Sequence, residues 1–169
     1  LEMLIDQPDL DVLVVPIGGG GLMSGIATIA REMRPDIRII GVQTESYPSM
    51  QAARLNEDML CGGETLAEGI AVKKPGRLTL PIIVDSVDDI LLVNEKQLEW
   101  AVSALVEQQR VIAEGAGAAG IAAIYAYPEL FKNLRVAGDR WPFSQLCYAS
   151  KRLRHAHTRK GCRPRTESQ

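Results

Sequence analysis

Apolar positions along the chain fall into two kinds of run. Val12 to Val15 is continuous and rich in β-branched residues, and Pro16 closes it, which is the pattern of a strand buried in a parallel sheet. Four glycines follow. Beyond them Leu22 to Arg34 carries Ile26, Ile29, Ala30 and Met33 at the spacing of one helical face, and Pro35 with Asp36 stops the helix. Ile37 to Val42 predicts a second strand, so strand, helix and strand form a unit of about thirty residues whose crossover should be right-handed.

The same alternation continues. Leu1 to Ile5 reads as the end of a helix broken by Pro8, and residues 48–59 can make another short helix. Residues 61–76 form a glycine-rich loop. Ile90 to Val93 predicts a strand. Asn94 is a good N-cap, with Gln97 completing a capping box for a helix running to about Arg110. Its expected buried stripe is Leu98, Ala101, Val102, Leu105 and Val106. Glu114-Gly115-Ala116-Gly117-Ala118-Ala119-Gly120 leads into an alanine-rich helix ending near Tyr127-Pro128, and a last strand starts at Leu134-Arg135-Val136. The reading is α/β: an open, mostly parallel sheet with helices on both faces.

Composition narrows the class. The 169 residues are 46 % apolar with a net charge of −2, enough for one soluble domain and unlike a disordered or collagenous chain. No apolar run approaches the roughly 20 residues that span a bilayer, and no signal-peptide pattern opens the chain, so a cytoplasmic location and no membrane partner are expected. Cys61, Cys147 and Cys162 share no metal-ligand spacing and suggest neither a disulfide framework nor zinc. Charge is unevenly placed. Residues 1–137 hold 11 basic and 19 acidic side chains, whereas residues 138–169 hold 8 and 2, with no helical or strand period among them. A basic tail can serve as a nucleic-acid arm. No aromatic platform or recognition helix accompanies this one, so the expectation is a disordered or aberrant terminus and no nucleic-acid partner.

The candidate chemistry lies at Val14-Val15-Pro16-Ile17-Gly18-Gly19-Gly20-Gly21-Leu22, a buried strand passing through glycine into a helix N-terminus. Unpaired N–H groups of a first helical turn and the helix dipole favour phosphate, and glycine lets the backbone come close to it. The loop has no Gly-Lys-Ser/Thr ending, which argues against a nucleoside triphosphatase. The dinucleotide fingerprint also fails, with Met23 or Ser24 where the third glycine belongs. Glu45, after the second strand, keeps a non-catalytic nucleotide- or phosphate-binding module as the alternative. A ligand-free turn is disfavoured, because four successive glycines cost chain entropy and add no packing.

Three segments in order, Pro16-Ile17-Gly18-Gly19-Gly20-Gly21-Leu22-Met23-Ser24-Gly25, Leu66-Ala67-Glu68-Gly69-Ile70-Ala71-Val72-Lys73 and Glu114-Gly115-Ala116-Gly117-Ala118, resemble the catalytic domain of threonine dehydratases. These are fold type II pyridoxal phosphate enzymes related to serine racemase and serine dehydratase. The likeness covers about residues 1–137, the second half of such a domain. It implies that Gly18, Gly19, Gly20, Gly21 and Leu22 hold the phosphate of pyridoxal 5'-phosphate and that Glu114 is the active-site glutamate. A helix N-terminal acid stabilised by the dipole is the other account of Glu114. The resemblance further implies elimination of water from threonine or serine to give a 2-oxo acid and ammonia, a role in amino-acid metabolism including isoleucine biosynthesis, and a dimer or tetramer for the intact enzyme.

Departures from the family pattern are equally specific. Where relatives place two carboxylates around a divalent cation, this chain has Gln43 and Ser49, so no metal is expected. Lys73 and Lys74 adjoin Pro75-Gly76 and read as exposed cations in a turn. The family's Schiff-base lysine and its Ser-rich substrate loop belong to the first half of the domain and are not in this chain. After Val136 a Ser-Gly-Gly-Asn turn should follow. The chain instead reads Ala137-Gly138-Asp139-Arg140-Trp141-Pro142-Phe143. These features suggest a fragment, inactive alone, with exposed apolar surface and a C-terminus out of frame or replaced.

Overall fold

In the computed structural model, which describes residues 1–138, the four expected strands form a single parallel sheet in the order β3-β2-β1-β4. They are β1 (Val12–Pro16), β2 (Arg38–Thr44), β3 (Asp89–Val93) and β4 (Val136–Gly138). Val14 of β1 pairs with Ile40 on one side and Gly138 on the other, and Val42 pairs with Leu91. The strand order turns at β1, since β2 and β3 lie to one side of it and β4 to the other. In open parallel sheets that turning point opens a crevice at the carboxyl ends of the strands.

Alternate residues of each strand feed two cores. Val12, Val14, Ile40, Val42 and Val93 pack with α5 (Glu95–Ala104) and α6 (Gly115–Ala126) on one face. Leu13, Val15, Ile39 and Ile90 pack on the other face with α1 (Glu2–Asp6), α2 (Gly21–Met33), α3 (Ser49–Leu55) and α4 (Thr79–Ser86). Gly41 leaves room for Ile17, whose Cδ1 would stand 2.3 Å from a Cβ there. The basic, low-order tail and the proposed frame change fall outside the described residues.

Two expected faces are corrected. In α2 the buried residues are Met23, Ser24, Ala27 and Ala30, whereas Ile29 and Met33 are 43 % and 38 % exposed. Small alanines let the helix lie close to the sheet, and this rotates the larger residues outward. Ile26 and Ile29 then line an apolar groove of about 130 Å³ against Leu1, Met3 and Leu4. The helix after Asn94 stays α-helical only to Ala104 and passes into a π-helical turn, Leu105–Gln109, that ends at left-handed Arg110. Such a turn inserts a residue into the helical period. Val102 is half-buried and Val106 is 43 % exposed, while Ala104 joins the buried set. Helix α4 had no counterpart in the sequence reading.

The capping box forms as expected: Asn94 Oδ1 accepts from Gln97 N–H at 3.1 Å, and Gln97 Oε1 accepts from Asn94 N–H at 2.9 Å. Asn94→Ala removes one acceptor for the orphan amides of α5. It should lower the unfolding free energy by about 1 kcal/mol, read by urea denaturation as a lower midpoint with an unchanged slope. An unchanged midpoint would show that the box adds nothing to stability.

Candidate functional site

Past Pro16 the Ile17 N–H still donates to the Val42 carbonyl of β2 at 2.8 Å, and the chain then turns through Gly18 to Gly20 into α2. Gly20 caps that helix with φ +92°, a left-handed conformation that disfavours any side chain. Space is a second constraint. A Cβ on Gly20 would lie 2.7 Å from Met50 Cε, 2.7 Å from Thr79 Oγ1 and 2.8 Å from Ile83 Cδ1. A Cβ on Gly18 would press on Ile70 Cα at 3.2 Å. Gly19 and Gly21 differ, because a Cβ on either would meet nothing within 4 Å. They leave open space above the loop.

That space is a cavity of about 280 Å³, close to the lower end of the roughly 300–1,000 Å³ range of small-ligand sites. Two helices aim their N-termini at it. Gly21, Leu22 and Met23 open α2, and Ala116 and Gly117 lie in the first turn of α6. The first intrahelical bonds run from Ser24 N–H to the Gly20 carbonyl (2.9 Å) and from Ala118 N–H to the Glu114 carbonyl (3.1 Å). The preceding amides of both helices therefore lack partners within their helices. Each terminus also carries roughly half a positive charge from the helix dipole. Among the described residues, those lining the cavity include no lysine, arginine or histidine. An anion bound there would be held by backbone amides.

All five loop positions expected from the sequence, Gly18, Gly19, Gly20, Gly21 and Leu22, line this cavity, and so does Glu114. Glu114 is the exposed N-cap residue of α6, but its side chain makes no capping hydrogen bond. Its carboxylate is thus not spent on the helix end. Gly69 faces it closely: a Cβ there would lie 3.0 Å from Glu114 Oε1. Gly115 admits the backbone of Leu66, whose carbonyl oxygen would be 2.3 Å from a Cβ. The segment Leu66-Ala67-Glu68-Gly69-Ile70 can therefore lie against the start of α6 and close one side of the cavity.

Other candidates lie elsewhere. Glu45 is exposed beyond β2, its N–H bonded to the Val93 carbonyl at 2.9 Å, and it does not line the cavity. The geometry gives no support to a ribose contact from it. Lys73 and Lys74 are exposed, as their turn context implied. Gln43 is fully buried. Its Nε2 donates to the Ile17 carbonyl at 3.2 Å, and its Oε1 accepts from Met50 N–H at 3.1 Å and Gln51 N–H at 3.0 Å. Ser49 Oγ donates to the Val72 carbonyl at 2.6 Å. Both side chains tie loops to α3. Among the described residues no group of three or more His, Cys, Asp or Glu side chains could hold a metal ion.

Sequence reading missed the contacts behind the loop. Thr79 Oγ1 donates to the Gly19 carbonyl at 2.6 Å, and Gly76 N–H donates to the same oxygen at 3.1 Å. These contacts cross about sixty residues of chain, and no local pattern announces them.

Comparison with known proteins gives a consistent picture. The family described as pyridoxal-phosphate dependent enzyme matches residues 1–140. An L-threonine ammonia-lyase of Thermotoga maritima is 49 % identical over 126 residues, covering 73 % of this chain and 31 % of the relative. A catabolic L-threonine dehydratase of Escherichia coli K12 is 42 % identical over 126 residues, with 73 % and 38 % covered. The structure of the processed form of threonine deaminase isoform 2 from Solanum lycopersicum superposes with a TM-score of 0.74 at 28 % identity, covering 92 % of this chain and 45 % of that one. The chain thus spans about a third of the length of the curated relatives it matches.

The two classes of glycine make a direct prediction. Gly20→Ala should destabilise the fold by about 1–3 kcal/mol, because it forces a side chain into a left-handed conformation and into occupied space. Gly21→Ala should cost no stability. Thermal unfolding of the two variants checks this. Equal losses would mean that the cavity is not open above Gly21.

Proposed function

Because the chain belongs to the family of pyridoxal-phosphate dependent enzymes, we propose that it is the phosphate-holding part of an L-threonine ammonia-lyase, with L-serine as an alternative substrate. The observation that carries this reading is the cavity itself. Open glycine positions, two converging helix N-termini and one uncapped carboxylate meet there, without a cationic side chain. The 49 % identical relative, named L-threonine ammonia-lyase, supports the choice of reaction. Pyridoxal phosphate, when bound, supplies an electron sink for the carbon that loses its proton.

In this reading the amides of Gly18 to Leu22 hold the phosphate, and the empty space above Gly19 and Gly21 admits it. Glu114 stands at the other helix start, where its Oε1 can hold or pass a proton during loss of the substrate hydroxyl. The segment at Gly69 and Ile70 excludes water from that side. The net reaction releases a 2-oxo acid and ammonia. The lysine that anchors the cofactor would come from a part of the enzyme outside this chain, with residues 1–137 as a partial catalytic domain and residues 138–169 as an appended tail. Coverage of only 31 % and 38 % of the relatives supports that division.

We further place the intact enzyme in the cytoplasm as a homodimer or homotetramer. No described helix is long and apolar enough to cross a membrane. The catabolic name of the Escherichia coli relative weighs toward amino-acid breakdown rather than isoleucine biosynthesis.

Two experiments test this reading. The purified 169-residue chain, mixed with pyridoxal phosphate and threonine, should form no 2-oxo acid in a coupled assay; turnover by it would overturn the division of labour proposed here. In the intact enzyme, Glu114→Gln should lower kcat by about 10²–10⁴-fold, the range for loss of a general acid or base. A near-normal kcat would leave Glu114 with only its place at the helix end.

A further inference from the structure

Thr79 does not line the cavity, yet it touches the loop that does. Its hydroxyl lies 2.6 Å from the Gly19 carbonyl oxygen and 3.2 Å from that of Gly76. The Gly76 carbonyl already accepts from Leu80 N–H at 3.0 Å. The single hydroxyl proton goes to the nearer oxygen, that of Gly19, which also takes the Gly76 N–H at 3.1 Å. Two donors grip one carbonyl from behind the loop.

The geometry of the peptide unit turns this grip into a consequence at the front. In a planar trans peptide the carbonyl of one residue and the N–H of the next point in opposite directions, and the described chain has no cis bond. Holding the Gly19 oxygen against the start of α4 therefore turns the Gly20 N–H away from α4, towards the side on which Gly20 lines the cavity. Without such a grip a glycine loop can rotate that peptide at little cost. A carbonyl oxygen would then face the anion in place of a donor. Position 76 is as constrained as the loop: a Cβ there would lie 2.8 Å from the Gly19 oxygen and 2.6 Å from Thr79 Oγ1.

We propose that Thr79 is a positioning residue: its hydroxyl, with the Gly76 amide, fixes the Gly19–Gly20 peptide so that the Gly20 N–H faces a bound phosphate. The inference rests on the phosphate-holding role proposed above. It predicts a loss specific to the phosphate group, leaving the ring of the ligand unaffected.

The test compares pyridoxine 5'-phosphate with pyridoxine on the whole 169-residue chain by titration calorimetry. Both are alcohols and cannot form imines with surface lysines such as Lys73 and Lys74. Thr79→Val removes the hydroxyl and keeps the shape. It should weaken the phosphate ester about 3- to 10-fold, the net worth of one hydrogen bond, and leave pyridoxine binding unchanged. Thr79→Ser should restore the ester to within about twofold, since the donor returns. The Gly20 amide resonance should shift on adding inorganic phosphate to the wild-type chain and to Thr79→Ser, and shift less in Thr79→Val. If Thr79→Val does not fold, Thr79→Ala against Thr79→Ser makes the same comparison. Wild-type affinity for the ester in Thr79→Val or Thr79→Ala overturns the proposal, as does a Thr79→Ser variant as weak as they are. A wild-type chain that shows no preference for the ester over pyridoxine would instead defeat the phosphate-holding role, and the inference with it.

Discussion

Backbone N–H groups can meet an anion only where the chain leaves them without carbonyl partners, and in this molecule that happens at the exit of β1. The sheet ladder ends there, α2 has not yet closed its first hydrogen bond, and glycine lets the chain turn within a few residues. Much of the surrounding structure serves to keep that turn in one conformation. Met50 and Ile83 fill the space behind Gly20, Gln43 takes the Ile17 carbonyl, and Gly76 and Thr79 share the Gly19 carbonyl. The amides on the open side are thereby pre-set, and an arriving anion need not order them. Pre-set donors in a cleft are worth more than flexible ones, because no reorganisation follows binding.

The sheet then divides the work. Helix α2 packs on one of its faces and α6 on the other, yet the first turns of both line the same cavity. Their dipoles therefore add at the cavity. Glu114 tempers that field at the start of α6, while the start of α2 has no acidic residue in its first turn. In the function proposed for this chain, the phosphate takes the glycine end and proton handling the glutamate end.

How much of this could be read from the sequence depends on range. The β1–glycine–α2 unit and the Asn94–Gln97 box are local, set by a few adjacent residues, and both appear where the sequence places them. Helix α4 was hidden because Leu80, Pro81, Ile82, Ile83 and Val84 make an unbroken apolar run with a proline in it; that proline sits in the first helical turn, where its missing N–H costs nothing. On α2 the expected face holds at Ala30 and fails at Ile29 and Met33, because Met23 and the small Ser24 and Ala27 take the buried positions beside Ala30. The site shows the same division. Its glycines and Glu114 carry a local signature, whereas Thr79 and Gln43 act through contacts formed only once the strands are assembled.

The central claim is that backbone amides at the start of α2 hold a phosphate monoester. A crystal structure of the chain grown with pyridoxal phosphate tests it most directly. The account predicts phosphate oxygens within about 3 Å of the amide nitrogens of the Gly18–Leu22 loop, with the ring extending toward Glu114. A phosphate seated on Lys73 and Lys74, or anywhere else while the glycine loop stands bare, would contradict it.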